Sequence, residues 1–535
     1  MTDMPSDPVR RHWLRVGAGV AALPALPGAF AADPSPRSTV ARVRGGRIGG
    51  SVEQGVHVFR GVPYGADTVT RRWQPALQEA AWRGVRDAFE YGPSAPQRGS
   101  DGPGSEDCLR LNVWTPALRD GGKRPVLVYI HGGGFNTGSG SDPLYDGGAL
   151  CRSGDVVVVT INHRLNAFGY LHLRDLGGAA FAHAGNVGQL DLVQALEWVR
   201  THADEFGGDA GNVTVFGQSG GGAKIATLMA MPAARGLFHR AWTMSGQQVT
   251  AAGPRSASQR AGIFLDALGI APGELDRLRA LPMQALLDAQ LARDPSRVED
   301  SALYFGPVVD TVNLPRHPFW PDAPPQSAGI PMVIGNTRDE TRAFLGNDPD
   351  NFTLGWDTLP DRLRTQQFVD LDPAVVVAEY RRLYPDYTPS EVFFAATTAG
   401  RSWRGAVEEL EVRAAQGRNT WAYQLDWYPR SGEGARLRAF HTLDIPLVFG
   451  NTAVAGARTG DTAEARAVAA TMRDALLAFA RSGDPNHAGM PAWAPYSMAT
   501  RETMVFDAVP RLEDDPRGGE RRLYQQAPFV QRGTQ

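Results

Sequence analysis

A serine at position 219 lies in a sequence context that could make its hydroxyl a nucleophile. Residues 217–221 read Gly-Gln-Ser-Gly-Gly and fit the G-x-S-x-G pattern, in which the serine occupies a sharp turn between a strand and a helix. A β-branched and aromatic run at 213–216 precedes the turn, and apolar residues at helical spacing follow it as far as Pro232. The flanking glycines are needed because a Cβ in so tight a turn would collide with its neighbours.

Two histidines are candidates for the base that such a serine requires. A serine hydroxyl is a poor nucleophile unless an imidazole accepts its proton and a carboxylate orients that imidazole. In the arrangement built on a G-x-S-x-G turn, the chain order is serine, acid, histidine, and only His441 and His487 follow the region expected to hold the acid. His441 lies in a loop after the predicted strand at 420–427, whereas His487 lies in a turn beyond the last predicted helix. We therefore favour His441.

The carboxylate is expected just beyond a strand, between the serine and the histidine. A predicted strand at 330–334 is followed by Gly-Asn-Thr-Arg-Asp-Glu, which makes Asp339 and Glu340 the first two candidates. Asp310, which follows two valines, is a weaker third. Spacing alone does not choose among them.

A run of three glycines could bind the oxyanion that forms when the serine attacks a carbonyl group. Gly132, Gly133 and Gly134 follow a continuous apolar run at 126–130 that predicts a buried strand. Glycine allows backbone N–H groups to approach a substrate oxygen closely, and loss of one such donor costs about 2.7–4 kcal/mol in the transition state. Gly220 adds a further N–H at the start of the helix, where the helix dipole favours negative charge.

The elements that must position these groups alternate along the chain. Strands are predicted at 126–130, 156–161, 213–216, 241–244, 332–334 and 420–427, with helices at 188–206, after the serine and at 463–481. Alternation of strand and helix predicts an α/β fold with a mostly parallel twisted sheet flanked by helices. Short antiparallel strands are predicted within 38–64. The segments 254–330 and 347–416 are predicted to be helical excursions over the site, because no clear linker bounds them.

Composition excludes several other classes of protein. A formal net charge of −3 and a charged fraction of 21% give no basis for nucleic-acid binding, and no internal apolar run is long enough to span a membrane. The N-terminus differs: Arg10 and Arg11 precede an apolar stretch at 16–30, which ends in a small-x-small site at 29–31. We interpret residues 1–31 as an export signal of the twin-arginine type, so that a periplasmic or secreted protein begins near Ala32 or Asp33.

Longer motifs carry a resemblance to a known family. The chain resembles the type B carboxylesterases, the α/β-hydrolase family that includes bacterial p-nitrobenzyl esterases, mammalian carboxylesterases and cholinesterases. The resemblance extends from about Val40 to Tyr496. It lies in the segments 59–64 (Phe-Arg-Gly-Val-Pro-Tyr), 105–114 (Ser-Glu-Asp-Cys-Leu-Arg-Leu-Asn-Val-Trp), 131–135, 162–165, 185–188, 206–209 and 217–221.

The resemblance implies roles for individual residues. Glu340 rather than Asp339 matches the acid of the family, and His441 matches its histidine. Gly133, Gly134 and Gly220 match its oxyanion donors, and Ser245 matches a serine that supports the glutamate. The family also implies that residues 38–530 form a single α/β-hydrolase domain and that no metal or organic cofactor takes part.

Three residues depart from the family pattern. Gly220 replaces the usual alanine after the nucleophile. Cys108 matches half of a common disulfide whose partner region, 93–97, has no cysteine, so that Cys108 and Cys151 are both predicted to be free. Lys224 lies in the nucleophile helix where small or apolar residues are usual, and it must be paired, reach water or line the substrate cavity.

The residues therefore predict a serine hydrolase that cleaves carboxylic esters of small molecules through an acyl-enzyme intermediate. An amidase, or an esterase for a bulky natural product or polyester, would use the same site. A non-catalytic binding protein of the neuroligin type has the same fold but lacks the triad that is present here. The natural substrate, the shape of the acyl and alcohol pockets and the oligomeric state do not follow from the sequence.

Overall fold

A sheet of thirteen strands organises the part of the chain that the structure describes. The structure, a computed structural model, describes residues 39–99, 104–296, 301–417 and 419–534, and the predicted export signal lies outside these ranges. The strands are β1 (Thr39–Val43), β2 (Gly46–Glu53), β3 (Val56–Pro63), β4 (Val85–Asp87), β5 (Arg110–Thr115), β6 (Arg124–Ile130), β7 (Val157–Ile161), β8 (Gly208–Gln218), β9 (Arg240–Met244), β10 (Met332–Thr337), β11 (Thr420–Leu425), β12 (Glu502–Phe506) and β13 (Arg511–Asp514).

The centre of the sheet is parallel, and its two ends are antiparallel apart from β4, which pairs with β2 in parallel. The strand order is β1-β2-β3-β5-β7-β6-β8-β9-β10-β11-β12-β13, with β4 beside β2. All neighbours from β7 to β12 pair in parallel, whereas β1, β2, β3, β5 and β7 pair in succession antiparallel, as do β12 and β13. The predicted α/β fold with a mostly parallel sheet is therefore confirmed.

Register aligns the ends of the parallel strands that carry the candidate residues. Ile130 of β6 pairs with Gly217 of β8, and Met244 of β9 pairs with both Gln218 of β8 and Gly335 of β10. Because these strands run in the same direction, the loops that follow them leave the sheet at one edge. The glycine run, Ser219 and the acidic segment are thereby brought to the same edge.

The helices connect the strands and form the segments outside the sheet. They are α1 (Gly148–Gly154), α2 (Asn166–Tyr170), α3 (Arg174–Gly177), α4 (Val187–His202), α5 (Gly220–Ala230), α6 (Pro254–Ala267), α7 (Leu275–Ala280), α8 (Met283–Ala289), α9 (Arg342–Leu345), α10 (Leu359–Gln366), α11 (Pro373–Leu383), α12 (Pro389–Thr398), α13 (Arg404–Gln416), α14 (Gly432–Leu437), α15 (Asp444–Phe449), α16 (Ala463–Ser482) and α17 (Gly518–Tyr524). A π-helical turn, Ala399–Trp403, joins α12 to α13. Of the helices described, none combines the length and apolarity that a membrane span requires.

Both faces of the sheet are covered, which explains the continuous apolar runs in its central strands. In β6, Val126 and Val128 pack on one face with residues of α4 and α5, while Leu127 and Tyr129 pack on the other face with residues of α16. A strand that is buried on both faces has no polar side to alternate with its apolar one.

Two strands near the C-terminus, β12 and β13, are not predicted from the sequence. The outer strand β13 has the sequence Arg-Leu-Glu-Asp and is largely exposed, so no apolar alternation marks it. The predicted helices 188–206 and 463–481 occur as α4, which a short 3-10 turn extends to Phe206, and as α16. Cys108 and Cys151 are both free and buried.

Candidate active site

Ser219 occupies the turn between β8 and α5 in a backbone conformation that few residues adopt. Its φ is 56° and its ψ is −127°, a strained combination for a residue with a side chain. The amide of Ser219 donates to the carbonyl of Met244 at 2.7 Å, which ties the turn to the end of β9. The helix α5 begins at the next residue, so its N-terminal amides lie directly beside the serine.

The glycines around Ser219 are required by close backbone contacts. A Cβ on Gly217 would lie 2.7 Å from the carbonyl oxygen of Ile130, and one on Gly221 would lie 1.9 Å from the same oxygen. Neither distance leaves room for a side chain. The close packing of α5 on the end of β6 therefore depends on these two glycines.

The same packing places the glycine run beside the serine. A Cβ on Gly132 would lie 3.3 Å from the Cβ of Ser219, and a Cβ on Gly220 would lie 2.1 Å from the carbonyl oxygen of Gly134. Gly133 and Gly134 are exposed and have φ values of 80° and 58°. Among the described residues, their amides donate to no protein acceptor. The Gly220 amide opens α5 and has no intrahelical acceptor, so three free donors lie around Ser219.

Glu340 is a fully buried carboxylate in the segment that follows β10. Its Oε1 accepts hydrogen bonds from the Thr337 amide at 2.9 Å and from the Asn336 side chain at 3.1 Å. Burial would raise the pKa of Glu340, but the adjacent imidazole of His441 and the hydrogen bonds to the carboxylate outweigh it, and the pKa lies below its ordinary value. Glu340 is therefore held in its ionised form.

His441 lies between α14 and α15 and contacts this carboxylate directly. Its Nδ1 is 2.5 Å from Oε2 of Glu340, and its backbone amide donates to the Glu340 carbonyl at 3.4 Å. Since an ionised carboxylate only accepts, Nδ1 carries a proton, and in the neutral imidazole Nε2 presents a lone pair. The imidazole is almost fully buried, with 6% of its residue surface exposed.

Nε2 of His441 points to the dipeptide that contains the serine. It lies 3.1 Å from Nε2 of Gln218, whose amide donates to the lone pair. Ser219 itself makes no side-chain hydrogen bond to any described residue, and a hydroxyl in this position is free to turn. Catalytic hydrogen bonds are often incomplete before substrate binds. The structure thus joins Glu340 to His441 and brings Nε2 of His441 to Gln218, the residue immediately before Ser219.

Ser245 lies close to Glu340 at the end of β9. Its amide donates to the carbonyl of Gly335 at 2.7 Å, which joins the ends of β9 and β10. The buried hydroxyl is near enough to contribute to the lowered pKa of Glu340, but it makes no hydrogen bond of regular geometry within the described part of the chain.

The other candidates for the acid and the base lie elsewhere. The carboxylate of Asp339 accepts from Arg342 at 3.2 Å. Asp310 accepts from the side chains of Asn186 and Asn313 and from amides of its own loop. His487 faces the carbonyl of Thr471 at 3.1 Å.

Three residues at the site had no role in the sequence analysis. Gln218 is the variable position of the G-x-S-x-G pattern, and Asn336 lies in the same short segment as the acid. Phe344, in α9, packs its ring 4.7 Å from the His441 ring while 51% of its surface stays exposed. An exposed phenylalanine carries no sequence signal that separates it from an ordinary surface residue.

Comparisons with known proteins agree with this fold. A profile of the carboxylesterase family matches residues 35–522. The chain is 37% identical over 492 residues to the para-nitrobenzyl esterase of Bacillus subtilis (strain 168), covering 89% of this chain and 96% of that protein. It is 35% identical over 478 residues to the phenmedipham hydrolase of Pseudarthrobacter oxydans, covering 85% and 92%.

A solved structure is similar over nearly the whole chain. The carboxylesterase of Geobacillus stearothermophilus, determined at pH 6.2, aligns with a TM-score of 0.81 at 41% identity and covers 91% of this chain and 100% of its own. The chain therefore belongs to the carboxylesterase family, as the resemblance predicted, and has the α/β-hydrolase fold. Its activity is that of a carboxylic ester hydrolase of the serine class.

Proposed function

We propose that ester cleavage takes place at Ser219 through an acyl-enzyme intermediate. The Ser219 Oγ attacks the carbonyl carbon of the ester while Nε2 of His441 takes the hydroxyl proton. Glu340 orients the imidazole and offsets the positive charge that develops on it. The amides of Gly133, Gly134 and Gly220 bind the oxyanion. His441 then protonates the departing alcohol, and water, activated by the same imidazole, releases the acid.

The observation that carries this proposal is the pairing of Glu340 with His441 beside the serine turn. A buried carboxylate whose pKa is lowered, 2.5 Å from a ring nitrogen, fixes the imidazole with its other nitrogen toward Gln218-Ser219. Serine could then displace the Gln218 amide by a side-chain rotation, because both groups compete for the same lone pair. Ser245 has a supporting part through its proximity to the carboxylate.

The test is hydrolysis of p-nitrophenyl butyrate by Ser219→Ala. Removal of a serine nucleophile typically lowers kcat on the order of 10⁵-fold or more. Ser245→Ala is the matched control, since it removes a neighbouring buried hydroxyl and should cost about tenfold or less. The proposal fails if S219A keeps near wild-type activity, or if a fluorophosphonate that forms a covalent bond with active serines labels S219A as well as wild type.

The size of the acyl and alcohol groups that the site accepts can be measured directly. Phe344 lies beside His441 with half of its surface exposed, so it is placed to contact one side of the substrate. A panel of esters in which acyl and alcohol groups vary separately, with the matching amides, would give kcat/KM for each side. Higher kcat/KM for the amides than for the esters would replace the esterase proposal with an amidase at the same residues.

We also propose that residues 1–31 direct export and that residues 38–530 work as one domain. The support is the pair Arg10-Arg11 ahead of an apolar stretch and a small-x-small site at 29–31. N-terminal sequencing of exported protein should begin near Ala32 or Asp33, and Arg10→Lys with Arg11→Lys should retain the protein in the cell. An intact Met1 or Thr2 on exported protein would contradict this.

A further inference from the structure

Lys224 is a fully buried lysine in the helix that follows the serine. None of its surface is exposed, although lysine is almost never fully buried unless a carboxylate pairs with it. Within the described chain no carboxylate forms an ion pair with Lys224, and burial alone lowers its pKa to about 7. Burial of a lysine without a carboxylate partner costs free energy, which points to a function for the contacts that it makes.

The contacts of Lys224 lie on both sides of the glycine run. Its Nζ donates a hydrogen bond to the carbonyl of His131 at 3.0 Å, immediately before Gly132. The same nitrogen lies 6.0 Å from the ring centroid of Phe135, immediately after Gly134, at the range of a cation–π contact. The amine is therefore held between the two residues that bracket the run 132–134.

The first two turns of α5 contact this segment through one face. A Cβ on Gly220 would meet the Gly134 carbonyl oxygen at 2.1 Å, and a Cβ on Gly221 would meet the Ile130 carbonyl oxygen at 1.9 Å. Lys224 follows these residues by three and four positions, which places it on the same side of the helix one turn later. The glycines allow the approach, and Lys224 supplies the polar bond across it.

The backbone of the glycine run is permissive, so its conformation depends on the contacts that hold it on either side. Gly133 and Gly134 have positive φ values and lie exposed, and glycine has more conformational freedom to lose than any other residue. The His131 ring is fixed by stacking on His163, with ring centroids 4.9 Å apart. The carbonyl of Gly133 accepts from the amides of two residues after the run, Asn136 and Thr137, at 3.2 and 3.0 Å, and the His131 ring contacts the Gly132 carbonyl at 2.9 Å. On the other side of the run, the carbonyl of His131, which leads into the glycines, is held by Lys224.

We propose that Lys224 is a positioning residue that fixes the orientation of the Gly133 and Gly134 amides by anchoring the His131 carbonyl to the nucleophile helix. This inference rests on the proposed function, because it assigns to those amides the binding of the oxyanion. The hydrogen bond from Lys224 to the His131 carbonyl does not require a charged amine, because a neutral amine also donates from its N–H. Lys224 can therefore hold this carbonyl in either protonation state.

The variants that test this proposal separate the hydrogen bond from the volume of the side chain. Lys224→Met keeps the length and removes the donor, and Lys224→Ala removes both. Lys224→Gln keeps an N–H donor. Each is compared for kcat and KM on p-nitrophenyl butyrate, with active sites titrated by a fluorophosphonate. The affinity for an aryl trifluoromethyl ketone is measured in parallel: Ser219 adds to its carbonyl carbon, the proton goes to His441 and the carbonyl electron pair becomes an oxyanion.

If Lys224 positions the oxyanion donors, kcat of K224M falls 10- to 100-fold per titrated site while KM changes less than threefold. The inhibition constant of the trifluoromethyl ketone rises by a factor similar to the fall in kcat, and K224Q recovers at least fivefold of the loss. Arg413→Met is the control, because Arg413 is another buried cation that donates to backbone carbonyls, those of Ser327 and Ile330, at the opposite end of β10 from Glu340. The R413M variant should have a lower melting temperature but keep the wild-type kcat and the wild-type inhibition constant of the trifluoromethyl ketone.

The proposal is overturned if K224M keeps kcat and the inhibition constant within twofold of wild type, or if K224Q is as impaired as K224M. K224A decides by the same criteria if K224M does not fold. Loss of the proposed function itself would look different: wild type would fail to hydrolyse the ester, or S219A would remain active.

Discussion

The two halves of the candidate site are built by different means. The half with Ser219 and the glycine run depends on backbone: amide donors, a strained turn and contacts that leave no space for a Cβ. The half with Glu340 and His441 depends on side chains, two buried groups 101 positions apart that meet at 2.5 Å. The halves touch where Gln218 donates to His441.

This difference predicts how each half responds to substitution. The half with Ser219 has no spare space, so substitutions that add atoms should disturb it. Substitutions that change only charge should affect it little, since its donors are backbone amides. A side-chain site tolerates small changes of shape but depends on the protonation state of each member. Substitutions that change charge without changing shape should therefore damage the half with Glu340, and substitutions that add atoms should damage the half with Ser219.

The largest effect is expected from Glu340→Gln, which keeps the shape and removes the charge. The imidazole loses its orientation and the partner of its developing charge, and kcat should fall on the order of 10³- to 10⁴-fold. Asp339→Asn is the matched control one residue away, and it should change kcat less than threefold. Steady-state kinetics on p-nitrophenyl butyrate measure both, and equal losses in the two variants would contradict the assignment of the acid.

A smaller loss is expected from Gly220→Ala, which adds one carbon to the backbone half. The new Cβ would lie 2.1 Å from the Gly134 carbonyl oxygen, so the glycine run must move away from the serine. Loss of one oxyanion donor costs about 10²- to 10³-fold in kcat, and partial displacement should cost about 10- to 10²-fold. Gly262→Ala in α6, where a Cβ would meet open space, should leave kcat unchanged. Wild-type kcat in G220A would show that the run adapts freely.

A still smaller effect is expected from Phe344→Ala, at the exposed rim of the side-chain half. The ring lies against His441 but makes no polar contact with the reacting groups, so its loss should raise KM about 3- to 10-fold and change kcat less than threefold. Leu291→Ala removes an apolar side chain of similar exposure that is not part of the site, and it should change neither constant. A fall in kcat with constant KM would instead make Phe344 part of the support for His441.

The smallest effect concerns stability and its dependence on pH. Asp444 is buried near Glu340 and His441, and burial, with the Glu340 charge, raises its pKa to about 7. The folded protein therefore keeps this proton up to about pH 7, whereas the unfolded chain loses it near pH 4. The free energy of unfolding consequently falls as pH rises through this window.

Asp444→Asn removes that dependence, because the amide is neutral at every pH and can still accept from Tyr423. The free energy of unfolding of D444N, taken relative to that of wild type, should therefore be about 1–3 kcal/mol larger at pH 8 than at pH 5. Glu409→Gln tests the same reasoning outside the site, since burial raises the pKa of Glu409 to about 8. Denaturant unfolding at the two pH values measures both, and a difference independent of pH would contradict the raised pKa.

The two halves also differ in how far the sequence predicted them. The serine turn and the glycine run are contiguous motifs, and β6 and β8 are neighbours in the sheet, so local pattern was enough to place them together. Spacing alone does not choose among Asp339, Glu340 and the weaker candidate Asp310, because which carboxylate turns inward depends on tertiary packing, and only the family resemblance favours Glu340. The contact between Gln218 and His441 was not foreseen, since it depends on side-chain rotation that no periodicity records.

The two cysteines have a consequence for where this chain can fold. Cys108 packs in the core on one face of the sheet and Cys151 in the core on the other, so the sheet separates them. The native state therefore contains no disulfide between these cysteines, and its formation does not require an oxidising compartment. Folding yield and melting temperature should therefore be the same with and without dithiothreitol, which refolding and thermal unfolding under both conditions would measure.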